Sequence, residues 1–310
     1  MSAEEACRIM SDIIGPSRCI SLPMADGGEG TAACVGRLSP GWEMLRPGSL
    51  YNELTRTVVV DSASIIGLDC FSSAVSALDR SSASLGTWLN ETYFSLRPHK
   101  IYIGVGGTAT CDGGAGMLRE LAPTVPWRNI LSGLIDVEAP LLPTLQGQIS
   151  ALSFCAQKGF SPEETIEAEK RLKRVIRQFG VPLSRFDGAG GGLGYALAGV
   201  IGAHCTLGAE WILSQAGIPW KSIDCVITGE GRFDGQSVAG KVVSTIARVA
   251  SGHGIETVCM AGCTDGTKAS SALRLSVWDL SAFYPHKELT PQTARERLKE
   301  ACRRWIDYNL

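Results

Sequence analysis

Half of the glycine in this chain, 18 of 36 residues, falls in four short stretches, 26–31, 104–116, 187–194 and 228–241, which together span 41 of 310 positions. This clustering constrains the fold more than any other feature. A glycine run costs backbone entropy and gives no side chain to a core. It is kept where backbone must turn sharply, or must approach a ligand or another backbone closely. Most of the four lie where an apolar, strand-like segment hands over to a helical one. That is the signature of α/β architecture, with loops gathered at the C-terminal ends of strands.

The segments between the loops agree. Ser2 and Glu5 form a capping box that predicts a helix through Ile14, closed by Gly15-Pro16. Residues 57–60 (TVVV) and 101–105 (IYIGV) read as buried strands. A second capping box at Ser161-Pro162-Glu163-Glu164 opens a helix reaching Gly180, and small residues over 195–203 predict another. Residues 223–228 and 256–261 bracket a helix near 237–251, a βαβ unit with parallel strands. Thr290-Pro291 starts a terminal helix that places Leu298, Cys302, Trp305 and Ile306 on one face, suited to docking on a sheet. The stretch 36–60 is richer in Gly, Pro and β-formers, which predicts a second domain inserted into the first. The expected division is 1–37 plus 221–310 against 38–220.

Composition narrows the function classes. With 29 Lys+Arg against 31 Asp+Glu, the chain is close to neutral, which argues against a broadly basic nucleic-acid binder. No apolar run approaches the roughly 18–20 residues that span a bilayer. The N-terminus Met-Ser-Ala-Glu-Glu-Ala-Cys lacks the basic and apolar regions of a signal peptide. Eleven cysteines, an odd number with no CxxC pair, read as free thiols in a reducing, cytoplasmic compartment.

Each loop carries its own chemistry. Asp26-Gly27-Gly28-Glu29-Gly30-Thr31 sets two carboxylates three residues apart, able to hold a metal or take up a hydroxyl proton; a tight turn before a helix is the plainer alternative. Gly104–Gly116 offers free N–H groups and the hydroxyls of Thr108 and Thr110, suited to a phosphate or carboxylate. It is not a P-loop. Its GxGxxA match at Gly104–Ala109 lacks the acid expected about twenty residues on, which disfavours a dinucleotide-dependent dehydrogenase. In Asp187–Gly194 the glycine excess fits either a nearby substrate or a close-packed helix. In 228–241, Glu230, Arg232, Asp234 and Lys241 combine acids for Mg²⁺ with cations for phosphoryl oxygens, or else form a surface loop with an internal ion pair. None of His99, His204, His253 and His286 joins a Ser-Asp constellation, and all four read as surface or structural residues.

Taken in order, PMADGGEGT, IGVGGTATCDGGAGM, GAGGGLG and VITGEGRFDGQS with the following GK resemble the glycerate kinase family of the bacterial glycerate 2-kinase type. The resemblance covers nearly the whole chain. It implies two α/β domains, one Rossmann-like and discontinuous in sequence with the other inserted into it. It also implies phosphorylation of a hydroxyl of D-glycerate by ATP with Mg²⁺, with neither nucleic acid nor membrane as partner and the oligomeric state open, a homodimer included. Asp136–Leu141 and Gln157-Lys158-Gly159 match two further family segments, which makes Lys158 either a substrate contact or a solvated surface lysine.

Residue type and loop position give Asp26, Asp112 and Asp234 the catalytic roles, and Glu230 with Asp234 the metal. Substrate and phosphate fall to Gly27, Gly28, Glu29, Gly106, Gly107, Thr108, Thr110, Lys158, Gly191, Gly192, Arg232 and Lys241. The family pattern ordinarily opens with a strand and a Lys-bearing loop, whereas this chain starts at the helix that follows. Cys111 and Ala139 replace usual Asn residues, and 118–134 and the region around 46–57 are shortened. Two readings therefore stand, an active kinase and a non-catalytic relative that binds glycerate or nucleotide.

Overall fold

The structure, a computed structural model, describes residues 1–235, 237, 242–266, 273–284 and 290–309. The chain divides into two compact units, 1–24 with 213–310, and 25–212.

The larger unit is built on a six-stranded sheet whose spatial order follows the chain: β1 Trp42–Arg46, β2 Ser49–Asn52, β3 Thr57–Asp61, β4 Lys100–Gly104, β5 Leu131–Ile135 and β6 His204–Leu207. β1 to β3 form an antiparallel meander, and β3 to β6 are parallel. The parallel strands read as continuous apolar runs because both faces are covered. Val58, Val59, Val60, Ile101 and Ile103 are fully buried, and most of them pack with Leu85 and Leu89 of the crossover helix Ala83–Leu96. Connections follow each strand as expected, so the C-terminal ends of β3, β4, β5 and β6 share one edge. A second apolar cluster, including Leu141, Leu172, Val175 and Tyr195, lies under the helix Pro162–Phe179. That helix has the full reciprocal box: Ser161 Oγ accepts the Glu164 N–H at 3.1 Å, and Glu164 Oε2 accepts the Ser161 N–H at 2.8 Å. The predicted helix over 195–203 is instead a seven-residue π-helix, Tyr195–Ile201.

The smaller unit holds a three-stranded parallel sheet, β7 Cys225–Phe233, β8 Glu256–Thr264 and β9 Leu275–Asp279, with the helix Val242–Gly252 between β7 and β8. The predicted βαβ unit is present, but its strands run longer. Gly229 and Gly231, read from sequence as the start of a loop, lie inside β7. A Cβ on Gly229 would stand 2.8 Å from the Met260 carbonyl oxygen, and one on Gly262 2.5 Å from that of Gly231. Glycine there serves the close approach of two strands. The helices Ala3–Ile14 and Pro291–Asn309 cover the sheet through Ile9, Leu298, Cys302 and Trp305, and Arg295 Nε donates to Glu5 Oε1 at 2.5 Å.

Residues 25–37, assigned from sequence to the discontinuous domain, belong to the larger unit. The reason is a hydrogen-bonded attachment too distant in sequence to read: Asp61, at the end of β3, accepts the N–H groups of Gly30 and Ala32, both at 2.8 Å.

Candidate functional site

The first glycine-rich loop lies across the C-terminal ends of the parallel strands. Gly27 has φ +101°, and a Cβ there would stand 2.6 Å from the Leu134 carbonyl oxygen at the end of β5. The Gly27 carbonyl accepts the Gly106 N–H at 3.0 Å. A Cβ on Gly106 would meet Gly28 Cα at 2.7 Å and Asp136 Oδ2 at 2.8 Å. These glycines let the first and second loops touch backbone to backbone, beside the Asp136 carboxylate that follows β5.

Within this loop Asp26 is half-buried, and its Oδ1 accepts the Gly28 N–H at 2.9 Å. Glu29 is exposed. Asp61, which no sequence motif singled out, is 3% exposed and caps the helix Thr31–Leu38. Burial pushes its carboxyl up to about 6, with the Glu29 charge adding to the rise and the Ala32 and Gly30 N–H bonds opposing it. The one signal for it was a carboxylate set directly after the apolar run TVVV.

The second loop is buried over Thr108, Thr110 and Asp112, while Gly107 is exposed. Asp112 is engaged at both oxygens. Oδ1 accepts the Gly114 N–H, and Oδ2 accepts the N–H and Oγ–H of Ser82, the Ser81 hydroxyl and the Gly116 N–H, all at 2.8–3.4 Å. It binds the start of the helix Ala83–Leu96 to that of Ala115–Glu120.

Lys158 is buried, not a solvated surface lysine. Its Nζ donates to the Thr110 carbonyl at 2.7 Å and to Thr108 Oγ1 at 3.2 Å, and its own carbonyl accepts from Arg80 at 2.6 Å. Burial lowers its ammonium from the ordinary lysine value, while Cys111, Cys155, Asp136 and Asp112 oppose the fall. Beside it, Thr110 Oγ1 is fully buried with no hydrogen-bond partner among the described residues.

The third loop packs onto the second. Gly191 has φ +66°, and a Cβ there would fall 2.0 Å from the Thr110 carbonyl oxygen and 2.8 Å from Lys158 Nζ. A Cβ on Gly192 would stand 2.4 Å from Gly113 Cα. Close packing of one loop on another accounts for the glycine run without invoking a ligand.

Three of the four stretches thus gather in the larger unit, bringing Asp26, Gly27, Gly28, Glu29, Gly106, Gly107, Thr108, Thr110, Asp112, Lys158, Gly191 and Gly192 into one set of touching loops. The fourth belongs to the smaller unit. There Glu230 is half-buried in β7, Arg232 is exposed, and its Nε lies 3.5 Å from Asp234 Oδ2. The Asp234 N–H donates to Ser237 Oγ at 3.1 Å. Lys241 and His286 lie outside the described residues. Of the remaining histidines, His99 contacts Arg56 at 3.2 Å, His253 stacks on Trp220 and His204 is exposed.

Among the described residues no three His, Cys, Asp or Glu side chains are placed to hold a metal unaided, and no helix is long and apolar enough to cross a membrane. A cavity of about 290 Å³ lined by Ala115, Leu118, Arg119, Gln178 and Phe179 lacks the carboxylates and glycine backbone of the loops, so the loops are the better candidate.

The model of the glycerate kinase family matches residues 1–126 and 129–305. Glycerate 2-kinase of Escherichia coli is 28% identical over 312 residues, covering 84% of this chain and 82% of its own. Glycerate kinase of Haemophilus influenzae is 28% identical over 293 residues, covering 79% and 76%. A solved structure assigned as glycerate kinase 2 from Salmonella typhimurium LT2 superposes with a TM-score of 0.65 at 22% identity, covering 99% of this chain and 93% of that one.

Proposed function

Because the chain belongs to the glycerate kinase family, we propose that it transfers a phosphoryl group from ATP to a hydroxyl of D-glycerate. The observation that carries this reading is the meeting of three glycine-rich loops at the C-terminal ends of parallel strands, around a buried ammonium. Ligands of open α/β sheets bind at that edge.

The residues fit the chemistry. Oδ1 of Asp26 accepts an N–H of its own loop, which fixes the carboxylate and leaves Oδ2 to accept the proton of the attacking hydroxyl. Lys158 sets a positive charge under the second loop, where the Thr110 hydroxyl lacks a partner among the described residues. An anion with several acceptor oxygens satisfies both. Thr108 and the backbone of Gly107 complete that donor set, with Glu29 at its exposed rim. The N–H groups of Gly28 and Gly106 are taken by Asp26 Oδ1 and the Gly27 carbonyl and hold the loops together. Asp112 acts as a positioning residue, holding the second loop against two helices.

Phosphoryl transfer asks little covalent chemistry of the protein and depends on positioning and charge neutralisation. Mg²⁺ is commonly held by one or two carboxylates together with the phosphates. When bound, ATP supplies the phosphoryl group and Mg²⁺ offsets its charge. For the smaller unit, taken by itself, we propose that Glu230 and Asp234 would hold the metal and that Arg232 and Lys241 would offset phosphoryl charge.

Titration calorimetry with ATP and with D-glycerate, beside a coupled ADP-release assay, tests the reading. Turnover that Asp26→Asn abolishes supports it. Binding of either ligand without ADP release selects a non-catalytic relative, and binding of neither refutes both.

A further inference from the structure

Beneath the second loop lie two thiols that the proposed reaction does not use. Cys111 sits between Thr110 and Asp112, and Cys155 lies three residues before Lys158 on a segment of short 3₁₀ turns. Their sulfurs are 3.8 Å apart, and each residue is 1% exposed in an apolar cluster with Leu141, Leu172 and Tyr195. We propose that Cys111 and Cys155 are an oxidative modification site, closed to a disulfide by a two-electron oxidant of the hydroperoxide class.

The chemistry balances. The thiolate of Cys155 attacks one peroxide oxygen, the O–O bond breaks, and the leaving hydroxide takes up a proton to become water. The resulting sulfenic acid is attacked at sulfur by Cys111. The S–S bond forms as the S–O bond breaks, and a second water leaves with the remaining proton. In sum, two thiols and one hydroperoxide give one disulfide, one water and, from hydrogen peroxide, a second water.

The surroundings suit Cys155 as the attacking group. Contact with Cys111 and the Lys158 ammonium hold its thiol below the usual value, whereas contact with Cys155 and burial hold Cys111 above it. Both sulfurs are buried, so access requires local opening of this segment.

Closure has a mechanical consequence. A disulfide holds its sulfurs at about 2.05 Å, so bond formation draws the two segments together by roughly 1.8 Å. The residues flanking Cys111 are the partners of Lys158 and the cap of two helices, so the contraction is transmitted to the candidate site. An effect on turnover rests on the kinase reading; the linkage itself does not.

The test uses the intact, reduced chain treated with hydrogen peroxide, then alkylated and digested without reductant. A linked peptide joining Cys111 and Cys155 is expected, lost on adding dithiothreitol. ADP release should fall at least fivefold in step with that peptide and recover on reduction, while Cys155→Ser keeps its rate. Oxidation of the exposed Cys70 without a 111–155 link overturns the proposal, and a link that leaves turnover unchanged overturns its mechanical consequence for the candidate site. If the reduced chain has no kinase activity, the linked peptide still decides the modification site, so the two failures are distinguishable.

Discussion

Replacing Asp61 by Asn removes the charge from a carboxyl group that is 3% exposed and accepts two backbone N–H groups at 2.8 Å. The carboxyl stands at about 6 in the folded chain against 3.8 for the free group. The difference, at 1.36 kcal/mol per unit, amounts to roughly 3 kcal/mol of cost for keeping it ionised at pH 7. Because the folded value is the higher one, the folded state binds more protons between about pH 4 and 6. The group's contribution to stability is therefore fullest below pH 4 and is lost as pH rises through about 6. Between pH 7 and pH 5 the unfolded carboxyl stays ionised while the folded one takes up most of a proton, a gain of about 1.3 kcal/mol for the wild type. The Asn variant has no such gain. It instead offers one amide oxygen to two N–H donors, a cost of about 1–3 kcal/mol at either pH, which at pH 7 largely offsets the relief of the buried charge. Urea melts of both proteins at pH 7 and pH 5 give the double difference, in which carboxylates common to both cancel. The expected outcome is near-equal stability at pH 7 and a deficit larger by about 1 kcal/mol for the variant at pH 5. An identical pH dependence in the two proteins would refute the claim that Asp61 is a buried, proton-linked clamp on the first loop.

The remaining predictions separate architecture from chemistry. Gly191→Ala puts a Cβ 2.0 Å from a carbonyl oxygen and should lower Tm by well over 5 °C, whereas Gly30→Ala, at φ +90° with nothing within 4 Å, should cost only about 1–2 kcal/mol. Asp112→Asn exchanges one acceptor oxygen for an N–H₂ group facing helix N–H donors, so stability should fall by about 2–4 kcal/mol with turnover per folded molecule within tenfold of wild type, as urea melts and initial rates would show. Lys158→Met removes a buried ammonium but keeps an apolar stem; turnover should fall at least a hundredfold, with Tm changed by only a few degrees.

The legible parts of the fold were those set by local chemistry. Capping residues at Ser161 and Glu164, the apolar runs of β3 and β4, and the one-sided face of Leu298, Cys302 and Trp305 all became the elements that their patterns predict. The hairpin of β1 and β2 was visible only as a stretch rich in β-formers, because β1 is largely exposed and carries no clean alternation. Glycine marked the loops but could not name the partner that demands it. In β7 that partner is the neighbouring strand, and at Gly191 it is the carbonyl of Thr110 and the amine of Lys158. Long-range hydrogen bonds were the least legible. The carboxylate of Asp61 holds a loop some thirty residues earlier, which moved one assignment to the other domain, and Asp112 reaches Ser82, a contact that no local pattern announces.

The most direct measurement follows both products at once. With the reduced wild-type chain, ATP, Mg²⁺ and D-glycerate, phosphorus NMR should show a phosphoglycerate resonance growing in equal amount with ADP, and neither should form when D-glycerate is omitted. ADP without phosphoglycerate, or no reaction under conditions where both ligands bind, would contradict the assignment of phosphoryl transfer to this site.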